Sequence, residues 1–130
     1  MELSRSCLHT ITNRPWGLEE LVDKYVAAGI KGISVWNNAI ENIGPYRAGE
    51  LIRSQGLDVV SYVRGGFFPH PDSTGRAQAL NHNRKLLEEA AALGAPLIVL
   101  VCGASPLQPL AVSRKQIQEG IEAILPLAEK

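Results

Sequence analysis

The sequence predicts an α/β fold in which four consecutive strand–helix units build one parallel sheet. A strand, a polar loop and a helical pattern recur four times along 130 residues. The first three predicted helices each end at a glycine (Gly29, Gly56 and Gly94), the residue that most easily adopts the left-handed conformation after a helix. Residues 96–102 are continuously apolar, which is typical of a strand covered on both faces. A small doubly wound four-stranded parallel sheet is the alternative fold.

The first unit is predicted to begin with a strand over residues 3–10. Pro15 suits the first turn of the following helix, because its missing N–H would have no partner there. One apolar face of this helix is indicated by residues at helical spacing, namely Leu18, Leu21, Val22, Tyr25 and Val26.

The second and third units follow the same order. A strand is predicted over residues 32–36, and a helix from about Tyr46 turns Leu51 and Ile52 inward. The third strand is predicted over residues 57–63. It opens into a long loop rich in glycine, proline and polar groups, the most site-like of the four loops.

The third helix is predicted to start near Ser73 or Thr74. The residues expected on one side of it are Ala77, Leu80, Leu87, Ala90 and Ala91.

The fourth helix is introduced by Ser113 and Gln116, which match a capping box. Pro126 should kink this helix or end it early. The apolar stripe consists of Ile117, Ile121, Ile124 and Leu125. Because no glycine follows it, we expect that the chain stops before its next turn and strand.

Composition narrows the functional classes. Hydrophobic residues make up 45% and charged residues 20% of the chain, and the formal net charge is zero. Without a basic cluster, binding to nucleic acid or to an anionic membrane is not indicated. The longest apolar run, residues 95–102, is too short to span a bilayer, and no signal pattern is present. Cys7 and Cys102 do not form a disulfide framework, so a cytoplasmic protein is expected.

Four side chains near the predicted strand ends are candidates for binding a substrate. His9 can exchange a hydrogen bond with a hydroxyl group, and Trp36 can form an apolar wall for a sugar face. Arg64 can bind a phosphate or carboxylate through its fork of donors. Phe67, after a flexible glycine pair, can form part of a lid. Structural roles, such as a hydrogen-bonded histidine, ordinary packing or a salt-bridged arginine, remain open for each.

Other candidates carry weaker signals. Phe68 can join the lid or pack beneath the loop, and His82 is expected to face solvent. His70 and Asp72 could form a metal pair with Glu41, but two ligands in one loop are a poor signal, so no metal residue is assigned. Cys102 is expected to be a buried structural cysteine rather than a nucleophile.

Several ordered segments resemble the N-terminal half of the sugar phosphate isomerase/epimerase family, the xylose-isomerase-like TIM barrels. No single segment is highly specific, but the series covers essentially the whole chain. The matching segments are residues 8–10, 18–22 with 27–30, 32–36, 56–61 and 91–96.

The resemblance implies that residues 1–130 are a single partial domain, half of a (β/α)8 TIM barrel. It implies an enzyme that isomerises, epimerises or dehydrates a sugar or polyol with a divalent metal (Mn, Mg, Co or Zn). Family members hold the metal with Glu, Asp, His and Glu from the later strands. Those positions would lie beyond Lys130, so none is carried over, and the chain alone is expected to be inactive.

The few carboxylates near the predicted strand ends agree with the expectation that the catalytic residues lie on the other half of the barrel. Isomerisation next to a carbonyl needs a base and a group that stabilises the enediolate. The carboxylates nearest to predicted strand ends are Glu41 and Asp72, and they form no obvious pair. The alternatives are a non-catalytic half-barrel that self-associates through its open sheet edges, and a dehydratase or DNA-repair endonuclease of the same superfamily.

Overall fold

The computed structural model describes residues 2–130, in which four parallel strands alternate with four helices. The strand order in the sheet is β1-β2-β3-β4, without the reversal that a doubly wound sheet requires. The predicted series of four strand–helix units is therefore confirmed. The elements are β1 (Cys7–His9), α1 (Leu18–Ala27), β2 (Gly32–Trp36), α2 (Pro45–Ser54), β3 (Asp58–Gly66), α3 (Ser73–Leu93), β4 (Ile98–Val101) and α4 (Leu110–Ala128).

Strand β1 is shorter than predicted. Leu3–Arg5 form a single 3-10 turn, closed by the N–H of Ser6 donating to the carbonyl of Leu3 at 2.9 Å. The strand can only begin at Cys7, because its partner β2 begins at Gly32 and pairs with it there. After His9 the chain turns again through Thr10–Asn13.

Helix α1 begins later than predicted. Pro15 lies outside it, and the Arg14–Pro15 peptide bond is cis. A turn closed by the Trp16 N–H and the Asn13 carbonyl precedes the helix, so Leu18 is its first residue. Four of the five predicted apolar positions are buried, whereas Val26 is 41% exposed.

Strand β2 has the predicted bounds, and α2 begins one residue before the predicted Tyr46. Ile52 is buried as expected, and Leu51 is half-buried. Between β2 and β3 the register shifts after Ile33, so that Ser34 lies opposite Ser61. These two buried hydroxyls share a hydrogen bond.

Strand β3 is longer than predicted and β4 is shorter. The three residues after Val63, expected in the loop, continue β3 to Gly66. The strand extends because β4 beside it offers further backbone hydrogen-bond partners. For example, the N–H of Phe67 donates to the carbonyl of Val101 at 2.8 Å. The prediction that β4 is covered on both faces is wrong, since alternate residues such as Val99 and Val101 are each 38% exposed.

Helix α3 starts at Ser73 as predicted, but its buried face is different. Of the five expected positions only Ala90 is buried, and Ala77 and Ala91 are exposed. The buried positions are Asn83, Leu86, Ala90 and Leu93. The prediction failed because an asparagine occupies the core stripe, where an apolar pattern gives no signal.

Helix α4 begins before the predicted capping box. Ser113 lies inside the helix and is buried; its Oγ accepts a hydrogen bond from Nε2 of Gln108 at 3.0 Å. The helix continues past Pro126 to Ala128, so the predicted early end is wrong. Of the predicted stripe Ile124 is buried, while Leu125 is 48% exposed.

The three glycines predicted to follow helices adopt the left-handed conformation. Their φ angles are 76° for Gly29, 79° for Gly56 and 83° for Gly94. This conformation lets the chain leave each helix and enter the next strand.

The chain divides into two compact units. One contains the chain up to Val63 together with Glu89–Ile98, and the other contains Arg64–Glu88 and Val99–Lys130. Within residues 2–130, no helix combines the length and apolarity needed to cross a membrane.

Candidate functional site

His9 and Trp36 form a hydrogen-bonded pair at the carboxyl ends of the adjacent parallel strands β1 and β2. The indole Nε1–H of Trp36 donates to Nδ1 of His9 at 3.1 Å, and the ring centroids lie 6.4 Å apart at an angle of 73°. Because Nδ1 accepts, the neutral imidazole carries its proton on Nε2. The exposed His9 therefore offers an Nε2–H donor beside the indole.

Buried polar groups hold the segment that follows His9. Oγ1 of Thr10 accepts the backbone N–H of Trp36 at 3.0 Å, which ties the end of β1 to the end of β2. The Tyr25 hydroxyl, buried on α1, donates to Oδ1 of Asn13 at 2.8 Å and lies 3.3 Å from the His9 carbonyl oxygen. The hydrogen bonds of Thr10 and of the Tyr25 hydroxyl therefore hold the backbone at His9 in place.

A cleft of about 650 Å³ opens in the same unit, and Thr10, the residue after His9, lines it. Its walls are the turn after β1, the start of α1 and the turn after β2. The sequence did not predict this cleft, because its polar lining residues lie in turns, where side chains follow no periodic pattern. Its polar and aromatic lining includes Thr10, Arg14, Trp16, Asn38 and Asn42.

Arg64 and Phe67 form a second contact, in the other compact unit. The guanidinium carbon of Arg64 lies 4.9 Å from the centroid of the Phe67 ring, within cation–π range. Phe67 has a positive φ of 54° and is 46% exposed. Phe68 is buried against Gly120, so it packs beneath the loop and only Phe67 is available for a lid.

Asn83 binds the backbone at the end of β3, one residue before Phe67. Its Oδ1 accepts the N–H of Gly66 at 2.6 Å, and its Nδ2 donates to the Gly66 carbonyl at 2.8 Å. The side-chain amide thus pairs with the backbone as a neighbouring strand would. A polar residue in the middle of a helix gave no sequence signal for this role.

His70 and Asp72 cap the start of α3. Oδ1 of Asp72 accepts the N–H of Gly75 at 2.8 Å, and Nδ1 of His70 accepts the N–H of Asp72 at 3.2 Å. The N–H of His70 donates to Oε1 of Gln116 at 3.1 Å, which fixes the loop to α4. These residues therefore have structural partners.

The remaining titratable candidates do not form a catalytic group. Cys7 and Cys102 are both free, and Cys102 is half-buried rather than fully buried as predicted. His82 is exposed, as predicted. Burial raises the pKa of the Tyr62 hydroxyl strongly, and its hydrogen bond to Glu89 raises that pKa further.

The model for the xylose isomerase-like TIM barrel family matches residues 22–130. The chain belongs to this family. The resemblance of the ordered segments is thereby confirmed. In TIM-barrel enzymes the active site lies at the carboxyl ends of the strands, and His9 and Trp36 lie at such ends.

Solved structures agree with the family assignment. A protein from Sinorhizobium meliloti 1021 is 38% identical, and the match covers 95% of this chain and 46% of that one at a TM-score of 0.88. A xylose isomerase domain-containing protein from Salmonella typhimurium LT2 is 16% identical, with coverages of 99% and 47% and a TM-score of 0.78. A D-psicose 3-epimerase, solved in the presence of D-fructose, is 15% identical, with coverages of 95% and 48% and a TM-score of 0.70.

The chain spans about half the length of these structures, and the two distant ones establish the fold alone. A search of curated proteins gave no match.

Members of this family are typically metal-dependent, but the part of the chain described here does not fit a metal. Residues 2–130 contain no group of three or more His, Cys, Asp or Glu side chains able to hold an ion.

Proposed function

We propose that this chain supplies the substrate-binding strand ends of a barrel that isomerises or epimerises a sugar or polyol. The observation that carries the proposal is the His9–Trp36 pair at the carboxyl ends of two adjacent strands. The family supports it, since it includes sugar epimerases, and the D-psicose 3-epimerase solved with D-fructose suggests ketoses as a first substrate class.

The pair offers two kinds of contact to a sugar. The Nε2–H of His9 donates to a hydroxyl or carbonyl oxygen, while the flat indole of Trp36 packs against the apolar C–H face of a sugar. The Trp36 hydrogen bond fixes both the tautomer and the orientation of the imidazole. This arrangement orients a substrate without itself removing a proton.

The proton transfer needs groups that these residues do not provide. A base must remove the proton next to the carbonyl, and a positive or hydrogen-bonding group must stabilise the enediolate oxygen. In this proposal both lie on barrel strands outside residues 2–130, together with any divalent metal that the complete enzyme uses. The chain is therefore expected to bind a ketose but not to turn it over.

Binding of D-fructose to the chain tests the proposal. His9→Ala should weaken binding by about three- to tenfold, because one hydrogen bond to the ligand is lost. His82→Ala, which changes an exposed histidine on α3, is the matched control and should leave the affinity unchanged. Protein-observed NMR titration measures both dissociation constants.

The proposal fails if the folded wild-type chain binds no ketose or polyol from a panel at millimolar concentration. It also fails if His9→Ala and His82→Ala have the same affinity as the wild type.

A further inference from the structure

The cleft beside His9 is built from three segments of the first compact unit. The turn Thr10–Asn13, the first residues of α1 and the turn Asn37–Ile40 form its walls. Its volume of about 650 Å³ falls within the range of about 300–1,000 Å³ that small-molecule sites occupy. The cleft is therefore large enough to hold a ligand of its own.

The charges around the cleft do not favour an ionic ligand. Among the described residues that line the cleft, Arg14 is the one cation, and Glu19 and Glu20 in the first turn of α1 are the two carboxylates. These carboxylates complement the positive end of the helix dipole and repel an anion. Lys24 lies 3.7 Å from Glu20 and offsets part of this negative charge, so a cation is not favoured either.

The neutral groups of the cleft suit a polyhydroxyl ring. Trp16 is 37% exposed, and the Lys24 ammonium lies 4.6 Å from its ring centroid, which holds the indole in place. The side-chain amides of Asn38 and Asn42 are exposed and form no hydrogen bond within residues 2–130. Each amide can both donate to and accept from sugar hydroxyls.

Thr10 connects the cleft to the proposed sugar site. Thr10 lines the cleft, directly follows His9, and accepts the backbone N–H of Trp36 at 3.0 Å. The residue that follows His9 and holds the backbone of Trp36 is therefore part of the cleft wall.

We propose that the cleft binds the second sugar unit of a neutral glycoside whose first unit lies at His9 and Trp36. This inference rests on the proposed function and narrows its substrate class from free monosaccharides to glycosylated ones. Trp16 forms the stacking surface of the second unit, and Asn38 and Asn42 bind its hydroxyls.

Comparing two ketoses tests this inference. Maltulose carries a glucosyl unit attached to fructose, and D-fructose lacks it. The wild-type chain should bind maltulose about tenfold more tightly than D-fructose, and Trp16→Ala should remove this difference while changing the D-fructose affinity less than about twofold. Asn42→Ala, at an exposed position, should remove part of the difference without disturbing the fold.

The matched control is Asn81→Ala, which removes an exposed asparagine on α3 that does not line the cleft. It should keep the wild-type ratio of the two affinities. Equal affinities of the wild type for both sugars, or an unchanged ratio in both cleft variants, would overturn the assignment of the cleft. If instead Trp16→Ala weakens only maltulose but His9→Ala weakens neither sugar, the proposed function is overturned.

Discussion

Tyr62 keeps its phenolic proton to higher pH than an exposed tyrosine does. Its side chain is 1% exposed, and its hydroxyl donates to Oε2 of Glu89 at 2.7 Å. Burial disfavours the phenolate and raises the pKa, and the neighbouring carboxylate raises it further. The unfolded chain loses this proton near pH 10, whereas the folded chain keeps it.

The free energy of unfolding should therefore fall as the pH rises above about 10. Above that pH the folded state keeps the Tyr62 proton that the unfolded state has lost. This difference lowers the free energy of unfolding by about 1.4 kcal/mol per pH unit. In Tyr62→Phe this contribution should disappear, leaving a shallower slope. Urea unfolding between pH 8 and pH 11 measures it.

Tyr46→Phe is the matched control, because Tyr46 is 62% exposed. It should keep the wild-type slope. Identical slopes for the wild type and Tyr62→Phe would contradict the prediction. Tyr25, whose pKa is also raised by burial, contributes equally in all three proteins and cancels in the comparison.

Individual residues could be predicted from the sequence where a backbone requirement selects them. Gly29 and Gly94 end helices because left-handed backbone costs a glycine least. His9 and Trp36 could be placed at strand ends, but their contact could not, because it depends on the register between β1 and β2. Asn83 was missed because the helical spacing of apolar residues does not reveal a buried polar side chain.

At the scale of elements, the passage from β3 into its loop depends on a glycine. Gly66 has a φ of 101°, and a Cβ there would overlap the backbone of Val101. The Val101 atoms that it would meet belong to the backbone, so they cannot move aside at low cost. Phe67 directly follows Gly66, so its exposed position depends on the close approach of Gly66 to Val101.

Gly66→Ala should reduce the free energy of unfolding by about 2–4 kcal/mol, from left-handed strain and steric overlap combined. Gly17→Ala is the matched control, because Gly17 has a φ of −75° and no atom lies within 4 Å of a Cβ placed there. It should change stability by less than about 1 kcal/mol. Chemical denaturation measures both, and similar values for the two variants would contradict this account.

Element boundaries were predicted best where both neighbours in the chain supply strong signals. Strand β2 lies between a helix-ending glycine and polar Asn37, and its bounds matched. Strand β1 was predicted too long, because its length is set by the start of β2 rather than by its own residues. Ser113 and Gln116 matched a capping box in spacing, but they bind the Gln108 side chain instead.

At the scale of the whole molecule, the sheet ends in a strand with exposed apolar side chains. Leu97 is 51% exposed, and Val99 and Val101 are each 38% exposed. Strand β4 is last in the strand order, so one of its edges has no further strand beside it among residues 2–130. Such an edge invites pairing with another strand.

We therefore propose that the isolated chain self-associates through β4. Light scattering should show a dimer or larger species, and Val99→Lys should shift the equilibrium toward the monomer by placing a charge on the strand. Ala123→Lys adds the same charge at an exposed position on α4 and should leave the association unchanged. A wild-type chain that stays monomeric at high concentration would contradict this proposal.

Helix α3 has 21 residues, many of them small or polar, so only a few large apolar side chains constrain its axial position. Asn83 adds a further constraint, because its amide binds both backbone groups of Gly66 on β3. If the helix slid or rotated by one residue, it would leave buried donors and acceptors unpaired, at about 1–3 kcal/mol each. One amide thus ties the longest helix of the described chain to a single register against β3.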